Sequence, residues 1–344
     1  MNTEKKILSK LSFEELEALC LEMGLSKFRA KQIHNQIFLK FASSFEEMTD
    51  LSKKLREELA QKFLITDIEI EQKQISQDGT IKYLLKLPDE ELVETVLMRF
   101  DNRTNLTACV SSQVGCPMGC KFCATAKRGL IRNLTPYEIT QQVSTIQRDI
   151  KEKVTNVVFM GQGEPLLNYE NLLKAMDIFN TRFQIGQRRM TVSTCGIIPK
   201  INSLGETGCQ STLAISLHAP NDELRDKIMP VNQKYPLSEL KKTLLNYVEK
   251  TGRRVTIEYI LIGGMNDSPE CAKELVSYLK GLKCNINFIV YNPCEGDDFK
   301  RPKKDAVMKF KYIVESAGLK ATIRLERGLD IDAACGQLTG KYCK

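Results

Sequence analysis

From about residue 105 onward, short β-branched runs alternate with amphipathic helical stretches. The predicted strands are TACVSS, TNVVFMG, RRMTVSTCG, STLAISLH, RRVTIEYILIG, NINFIVYNP and ATIRLERG. Strands that alternate with helices over such a length favour a parallel sheet with crossover helices. About six such units predict an α/β fold of partial (β/α)6-barrel type, and a barrel carries its functional residues at the carboxyl ends of its strands.

The first hundred residues follow other patterns. Residues 1–65 predict a small helical accessory domain, in which Ser12 and Glu15 form a capping-box signature ahead of an apolar run. Residues 66–104 predict an antiparallel strand extension with turns at QDG and PDEE. The barrel and a C-terminal segment then occupy residues 105–344, so three units are expected.

The composition indicates which cellular compartment and which classes of partner we expect for this chain. The N-terminal segment is charged and lacks the apolar stretch of a signal peptide, and no apolar run reaches about 18 residues. We therefore expect a cytoplasmic protein with no membrane contact. In a reducing compartment, clustered members of its 12 cysteines would bind metal or perform redox chemistry. A net charge of +7 permits a nucleic-acid partner without proving one.

Four cysteines fall within the segment ACVSSQVGCPMGCKFCA. Cys116, Cys120 and Cys123 are spaced C-x3-C-x2-C, whereas Cys109 precedes them across a strand-like stretch. Three thiolates from one loop can hold a four-iron cluster by three of its irons and leave the fourth iron open. A zinc site completed by another ligand is the alternative that the spacing leaves open.

Other candidate ligand residues stand where predicted strands end. Gly163 and Glu164 follow one strand, in MGQGEPLLN, and a lone G-x-G is by itself a weak signal. Similar positions after later strands are held by Ser193, Ser216, Leu217, His218 and Asn292. Each alone is typical of a helix cap or turn. Together they recur where a bound nucleoside would lie in a barrel.

The C-x3-C-x2-C spacing resembles the radical S-adenosylmethionine (SAM) superfamily. The resemblance implies one [4Fe-4S] cluster on Cys116, Cys120 and Cys123, with the open iron chelating the amino and carboxylate groups of SAM. Reduction would then cleave SAM to a 5′-deoxyadenosyl radical, chemistry that the cofactor carries and the protein directs. Gly163 and Glu164 match the places that meet the SAM amino group in that superfamily.

A closer resemblance covers residues from about 90 to 340. The motifs that carry it are VETV (93–96), CVSSQVGCPMGCKFCAT (109–125), NLTPYEI (133–139), MGQGEPLLN (160–168), STCGIIP (193–199), SLHAPND (216–222), YNP (291–293) and DIDAACGQL (330–338). In this order they resemble the bacterial dual-specificity RNA methyltransferases that methylate C2 of adenosine. The N-terminal helices resemble that family's accessory domain more loosely.

This resemblance implies a role for three further residues. Cys335 would take a methyl group from one SAM, and a radical from a second SAM would activate that methyl group to add to C2 of adenine. Glu94 would accept the proton from C2. Cys109 would attack the sulfur of Cys335 and release the RNA through a transient disulfide. Gln162 departs from the family, where Met is expected beside the SAM pocket, and the segment from Glu94 to Cys109 is slightly long.

The same resemblance implies 23S rRNA and tRNA as substrates, a flavodoxin or ferredoxin as reductant, and a monomer. Phosphate contacts are expected from Lys27, Arg29, Lys31, Lys127, Arg128 and Arg132. The main alternative is the related C8 adenine methyltransferase of the antibiotic-resistance type, against which the continuation PLLN (165–168) and HAPND (218–222) favour C2. An RNA-binding iron-sulfur sensor and a zinc-binding RNA module are the non-enzymatic alternatives.

Overall fold

The computed structural model describes residues 5–100, 103–293 and 298–339. The strands in these ranges are β1 (Lys6–Ile7), β2 (Phe63–Leu64), β3 (Glu69–Ile75), β4 (Ile81–Lys86), β5 (Leu92–Phe100), β6 (Arg103–Cys109), β7 (Gln113–Gly115), β8 (Leu130–Asn133), β9 (Asn156–Phe159), β10 (Met190–Thr194), β11 (Thr212–Ser216), β12 (Val255–Leu261), β13 (Cys284–Val290) and β14 (Ala321–Ile323).

The α-helices in the same ranges are α1 (Phe13–Glu22), α2 (Lys27–Phe38), α3 (Lys53–Lys62), α4 (Ala124–Arg128), α5 (Pro136–Ile150), α6 (Tyr169–Thr181), α7 (Ile198–Glu206), α8 (Asp222–Ile228), α9 (Leu237–Thr251), α10 (Pro269–Leu279) and α11 (Lys304–Ser316). Short 3₁₀ turns cover Leu8–Lys10, Pro165–Asn168, Gln187–Arg189, Pro230–Gln233 and Leu329–Ile331.

The N-terminal helices begin where their caps predict. The Ser12 hydroxyl accepts the Glu15 N–H at 3.1 Å, and the Glu15 carboxylate accepts the Ser12 N–H at 2.7 Å. This reciprocal capping box satisfies two donors that the first turn of α1 would otherwise leave unpaired. Leu16 on α1 and Ile33 and Ile37 on α2 are buried in the core beside it.

One ten-stranded sheet organises the described part of the chain, in the order β14-β13-β12-β11-β10-β9-β6-β5-β4-β3. The seven strands from β6 to β14 in this sheet run parallel to one another. The strands β3, β4 and β5 are antiparallel and continue the same sheet from β6. The predicted α/β fold with a partial barrel and an antiparallel extension is thereby confirmed, whereas the unit boundaries near residues 65 and 104 stay a prediction.

Apolar side chains on the parallel strands form the centre of the core. Val157, Val192, Ile215 and Ile257 are fully buried, as expected for strands covered on both faces. Helix α5 lies against this sheet and starts with a second capping box, in which Thr135 and Glu138 exchange hydrogen bonds. No helix in the described ranges is long and apolar enough to cross a membrane.

The turn between β3 and β4 anchors the C-terminal segment. Asp330 accepts hydrogen bonds from the Ser76 hydroxyl at 2.5 Å and from the Gln77 N–H at 3.1 Å. The Asp78 carboxylate accepts the Gly328 N–H at 3.0 Å. These bonds join segments about 250 positions apart in sequence, so the antiparallel extension holds the chain end against the barrel.

Candidate active site

An open cavity of about 850 Å³ lies at the carboxyl ends of the parallel strands. Its wall is built from the cysteine loop, from residues that follow β9, β10 and β11, and from the C-terminal segment. The predicted site residues on it are Cys116, Cys120, Cys123, Gly163, Glu164, Ser193, Ser216, His218 and Cys335. This is the edge of the sheet where a barrel binds its ligands.

Backbone contacts determine the shape of the cysteine loop. Gly115 has φ +75°, and a Cβ atom there would lie 1.8 Å from the carbonyl oxygen of Gly129, so only glycine fits. The same carbonyl accepts the Cys116 N–H at 2.9 Å. On the far side, the Lys121 N–H donates to the Ile228 carbonyl at 2.9 Å. The loop is therefore fixed both to β8 and to the end of α8.

The three loop thiols form one electrostatic group. Burial raises the pKa of Cys116 to about 12 and also raises that of Cys120, and the neighbouring thiols add to both shifts. In the described residues, no three His, Cys, Asp or Glu side chains converge closely enough to hold a single metal ion. All three thiols border the large cavity, and cysteine thiolates are the ligands that hold iron-sulfur clusters.

Glu164 lies beside this loop, fully within the protein. Its carboxylate accepts the Cys195 N–H at 2.8 Å and the Leu166 N–H at 3.0 Å, while burial raises its pKa. Gly163 has φ +99°, and a Cβ atom there would lie 2.6 Å from Cβ of Gln113. Glycine is therefore required for the chain to pass this close to β7.

His218 presents a neutral ring to the cavity. Burial, assisted by the charge of Arg225, lowers its pKa to about 3. Its Nδ1 accepts the Ile260 N–H at 3.0 Å, so in the neutral imidazole the proton is on Nε2. The ring packs edge-on against Phe122 of the cysteine loop, with centroids 4.9 Å apart.

The remaining residues predicted at strand ends lie in different surroundings. The hydroxyl groups of Ser193 and Ser216 lie 3.5 Å apart on the cavity wall. The Leu217 side chain is instead fully buried in the core, and its backbone N–H donates to the Glu258 carbonyl at 3.0 Å. Asn292 lines a neighbouring cavity together with Cys335 and accepts a hydrogen bond from Arg301.

Cys109 and Cys335 meet in a separate, smaller cavity of about 480 Å³. Cys109 belongs to a small apolar cluster with Val96, Met98 and Leu338. Burial, and next the interaction with Cys335, raise the pKa of Cys109 to about 12. Cys109 thus interacts with the thiol at the far end of the chain, in a cavity that Cys123 of the loop also borders.

Two hydrogen bonds join this cavity to the cysteine loop. The Ala124 N–H donates to the Gly336 carbonyl at 2.7 Å, and the Thr125 hydroxyl donates to the Leu338 carbonyl at 2.7 Å. Gly336 has φ +88°, and a Cβ atom there would lie 3.1 Å from the carbonyl oxygen of Phe122. This close approach puts Cys335 on the walls of both cavities.

Glu94 is buried in the sheet, in contrast to an exposed strand carboxylate. It forms an ion pair of 3.3 Å with Lys82, which is also buried and donates to the Asp332 carbonyl at 3.2 Å. Glu94 therefore shares a strand face with Val96 and Met98, whose side chains pack near Cys109.

The position of Gln162 corrects an expectation. Its side chain is absent from the wall of the large cavity and turns toward β5, where Oε1 accepts the Glu94 N–H at 3.1 Å. Its Nε2 has no hydrogen-bond partner among the described residues. The departure at this position consequently affects the support of Glu94 and leaves the cavity wall unchanged.

Sequence reasoning missed Glu258 and Arg324, which also line the large cavity. Burial raises the pKa of Glu258, and the nearby Cys335 raises that of Arg324. A charged residue inside the apolar run VTIEYILI, and another directly after the strand ATI, were the available signals. Both are unusual in strands that are otherwise buried.

The basic residues predicted to contact phosphates differ in their availability. Arg128 pairs with Glu91 at 2.5 Å, and Arg132 pairs with Asp89 and Glu138 at 2.6 and 2.7 Å. Lys27 forms an exposed ion pair with Glu17 at 3.2 Å. Arg128 and Arg132 would have to exchange these carboxylates for phosphate oxygens.

Comparisons with known proteins agree with this geometry. The Radical SAM superfamily matches residues 110–276, and the ribosomal RNA large subunit methyltransferase N-terminal domain matches residues 7–65. A probable dual-specificity RNA methyltransferase RlmN of Lachnoclostridium phytofermentans is 47% identical over 343 residues, which cover 99% of this chain and 96% of that protein. The protein of the same description from Alkaliphilus oremlandii is 46% identical over 342 residues, with 98% and 99% covered.

A crystal structure of a radical SAM methyltransferase from Sphaerobacter thermophilus has a TM-score of 0.89 and 42% identity, and the match covers 98% of this chain and 100% of that one. The fold, the cysteine loop and these matches define the class as a radical SAM enzyme. More specifically, the chain belongs to the dual-specificity RNA methyltransferase family, RlmN. The resemblance predicted from the motifs is confirmed, and the superfamily implies a [4Fe-4S] cluster and SAM.

Proposed function

We propose that this enzyme methylates C2 of an adenosine in 23S rRNA and of an adenosine beside the tRNA anticodon. The observation that carries the proposal is the meeting of Cys109 and Cys335 in a cavity next to the cysteine loop. C2 of adenine is electron-poor and does not attack SAM directly, so its methylation needs a carrier thiol and radical chemistry. Two thiols beside a SAM cavity meet the first of these needs.

Cys116, Cys120 and Cys123 would hold the [4Fe-4S] cluster, which when reduced supplies the electron that splits SAM into methionine and a 5′-deoxyadenosyl radical. The three thiols support this assignment because they are close together and border a common space. Glu164 offers an acceptor to the SAM ammonium, with Gly163 permitting close approach. Further contacts to SAM are proposed for Ser193, Ser216, His218, Asn292 and the backbone of Leu217.

Cys335 would act as the methyl carrier. Its thiolate attacks the methyl carbon of SAM, so a new S–C bond forms as the sulfonium S–CH3 bond breaks. The position of Cys335 on both cavity walls supports this role, because the carrier must meet SAM on one side and the RNA base on the other. The base would be extruded from its stack to reach it.

Glu94 and Cys109 would complete the reaction. Glu94 accepts the proton that leaves C2, and its face of β5 is the one that packs toward Cys109. Before this, the 5′-deoxyadenosyl radical would take a hydrogen atom from the S-methyl group of Cys335, the resulting methylene carbon would bond to C2, and the unpaired electron of the adduct would pass to the oxidised cluster as the C2 proton leaves. Cys109 would then attack the sulfur of Cys335, forming a disulfide as the bond from sulfur to the methylene carbon breaks, and the proton that Cys109 loses would pass to that carbon to complete the methyl group. A buried, protonated Cys109 stays out of the first methyl transfer, which separates the two thiol roles.

The proposal also covers the approach of the RNA, the electron donor, the oligomeric state and the location of the enzyme. RNA would approach through the exposed basic residues of the N-terminal helices, since phosphate contacts dominate nucleic-acid affinity. We propose a flavodoxin or ferredoxin as the electron donor, a monomeric enzyme and a cytoplasmic location. The reductant is needed because the cluster must be reduced before SAM is cleaved, and because the Cys109–Cys335 disulfide must be reduced to two thiols before the next turnover.

The test is a reaction of the reconstituted protein with SAM, dithionite and unmodified 23S rRNA or tRNA. Mass spectrometry of the RNA nucleosides should detect 2-methyladenosine, formed only when all components are present. A heat-inactivated enzyme serves as the control. Detection of 8-methyladenosine instead would replace the proposed regiochemistry, and RNA without any new methyl group would contradict the proposed function.

A further inference from the structure

Arg225 on α8 is fully buried, and its charge has no anionic neighbour in direct contact. Its guanidinium donates to the carbonyls of Leu217 at 3.0 Å, Cys195 at 2.7 Å and Ser216 at 3.3 Å. A fourth bond of 3.0 Å reaches the amide oxygen of Asn232. All four acceptors are neutral, and three are backbone groups at the ends of β10 and β11.

The carboxylates nearest to Arg225 in this network act through an intermediate side chain. The Asn232 amide donates to Asp222 at 2.9 Å and to Asp226 at 2.8 Å. Among the described residues, the hydrogen-bond acceptors of Arg225 are all neutral, and burial lowers its pKa. A buried cation without a paired anion is costly, so such a group is retained where an anion arrives from elsewhere.

The cysteine loop is the direction from which negative charge would come. Helix α8 contacts that loop directly, through the bond from the Lys121 N–H to the Ile228 carbonyl. The guanidinium of Arg225 holds the carbonyl of Cys195, which lines the large cavity together with Cys120. Three thiolates around an iron-sulfur core carry more negative charge than the oxidised core balances, and reduction adds one further negative charge.

We infer that Arg225 is the buried counter-charge of the iron-sulfur cluster and eases its reduction. The fixed guanidinium favours the more negative, reduced state, because it is held in place before the electron arrives and lies in a low-dielectric interior. The one-electron step makes or breaks no bond in the protein and needs no proton. Arg225 is thus a positioning residue that acts through the cluster and through the carbonyls that it holds at the strand ends.

The inference rests on the proposed function only for the presence of the cluster. The experiment is a redox titration of the full-length, anaerobically reconstituted protein without SAM or RNA, followed by electron paramagnetic resonance of the reduced cluster. Arg225→Gln should lower the equilibrium constant for reduction of the cluster at least tenfold. For one electron this corresponds to a midpoint potential about 59 mV lower. Arg225→Lys keeps the charge and should stay within about threefold of the unmodified protein.

Arg148→Gln is the matched control. Arg148 on α5 is also buried, also bonded to neutral partners (Gln141, Ser144 and Thr145), and its pKa is lowered to about 10 by burial. It lines neither the large cavity nor the Cys109–Cys335 cavity. Removing this charge should leave the cluster potential unchanged while causing a comparable loss of packing.

Three outcomes would overturn the inference. They are an unchanged potential in Arg225→Gln, a shift in Arg225→Lys as large as that in Arg225→Gln, and an equal shift in Arg148→Gln. Should Arg225→Gln fail to fold or retain iron, normal iron content and potential in Arg225→Lys support the charge role, and their loss contradicts it. RNA products are measured separately, so failure of the proposed methylation is distinguishable from failure of this inference.

Discussion

The cysteine loop and the Cys109–Cys335 pair place thiols at the same end of the barrel, in two adjoining cavities of different size. Cys116, Cys120 and Cys123 border the larger cavity, where Glu164 and His218 stand among apolar side chains. The pair lies in a smaller cavity beside the apolar side chains of Val96, Met98 and Leu338. The two cavities adjoin, and their common wall holds Cys123, Met160, Gly161, Arg324, Cys335 and Gly336. The proposed metal ligation and sulfur exchange would therefore take place in neighbouring cavities that Cys335 borders on both sides.

This comparison bears on the protonation of each thiol and on the partner that it can reach. A thiolate is both the metal ligand and the nucleophile, so a thiol that must wait is best held protonated. Burial raises the pKa of Cys109 to about 12, and it raises the pKa of Cys116 and Cys120 as well, so Cys109 differs from these two loop thiols in its neighbours and not in its protonation. The reaction of Cys109 then depends on proximity to Cys335, which the hydrogen bonds of the C-terminal segment provide.

The largest expected effect separates the chemistry proposed for the two cavities. Cys335→Ala removes the proposed carrier, so formation of methylated RNA should fall by at least about a thousandfold, the scale typical of a lost nucleophile. Iron content and reductive cleavage of SAM to 5′-deoxyadenosine should persist, because the cluster ligands are intact. Liquid chromatography of both products measures this, with Cys284→Ala as the control; substantial RNA methylation by Cys335→Ala would contradict the carrier role.

Cys109→Ala should stop only the release of RNA through the Cys109–Cys335 disulfide. Methyl transfer to Cys335 and addition to the base would proceed, but the covalent RNA adduct could not be resolved through a disulfide. A protein-RNA crosslink should accumulate on denaturing gels at up to about one per enzyme, with turnover lost. Cys271→Ala, another buried thiol, is the control; normal multiple turnover in Cys109→Ala would remove its resolving role.

The buried ion pair of Lys82 and Glu94 can be tested through the stability of the protein. Glu94→Gln leaves Lys82 charged without its carboxylate, which should lower the free energy of unfolding by about 3–5 kcal/mol. The double variant with Lys82→Met should recover part of that loss, because no uncompensated charge remains. Urea denaturation of the four forms measures the coupling; purely additive losses would show that the two side chains act independently.

Gly163→Ala tests the cavity that would hold SAM. The added Cβ would lie 2.6 Å from Gln113 at a φ of +99°, and such strain should cost about 1–3 kcal/mol. SAM affinity, measured by equilibrium dialysis, should fall, whereas formation of a Cys109–Cys335 disulfide by a chemical oxidant should not change. Gly186→Ala, where a Cβ meets no atom within 4 Å, is the control; SAM affinity equal to that of the control would contradict the assignment.

The smallest effect concerns pH and His218. Because the folded-state pKa of about 3 lies below the unfolded value of about 6.5, the unfolded chain alone gains a proton between these values. Stability should therefore fall as pH drops below about 6.5, by at most about 1.4 kcal/mol per pH unit. Urea denaturation from pH 8 to 5 should show a shallower dependence for His218→Asn; identical slopes would mean that His218 is protonated when folded.

Much of the barrel could be predicted because local patterns specify it. The strands that end near Phe159, Thr194, Ser216 and Val290 were visible as β-branched runs, and each ends at the cavity. The orientation of Gln162 could not be predicted from the sequence, for a physical reason. Side chains alternate between two faces of the chain here, so Gly161 and Gly163 border the cavity while the residue between them turns to Glu94.

The sequence by itself determined what depends on short spacing: the α/β class, the three-cysteine loop and the glycines that let the chain pass closely. Only the tertiary structure decided that Cys335 reaches Cys109, because that contact depends on Asp330 and Gly328 binding the β3–β4 turn. It also decided that Arg225 is buried behind the ends of β10 and β11 with neutral partners. Periodicity records which face of an element is buried, whereas the partners of a buried charge depend on contacts between distant segments.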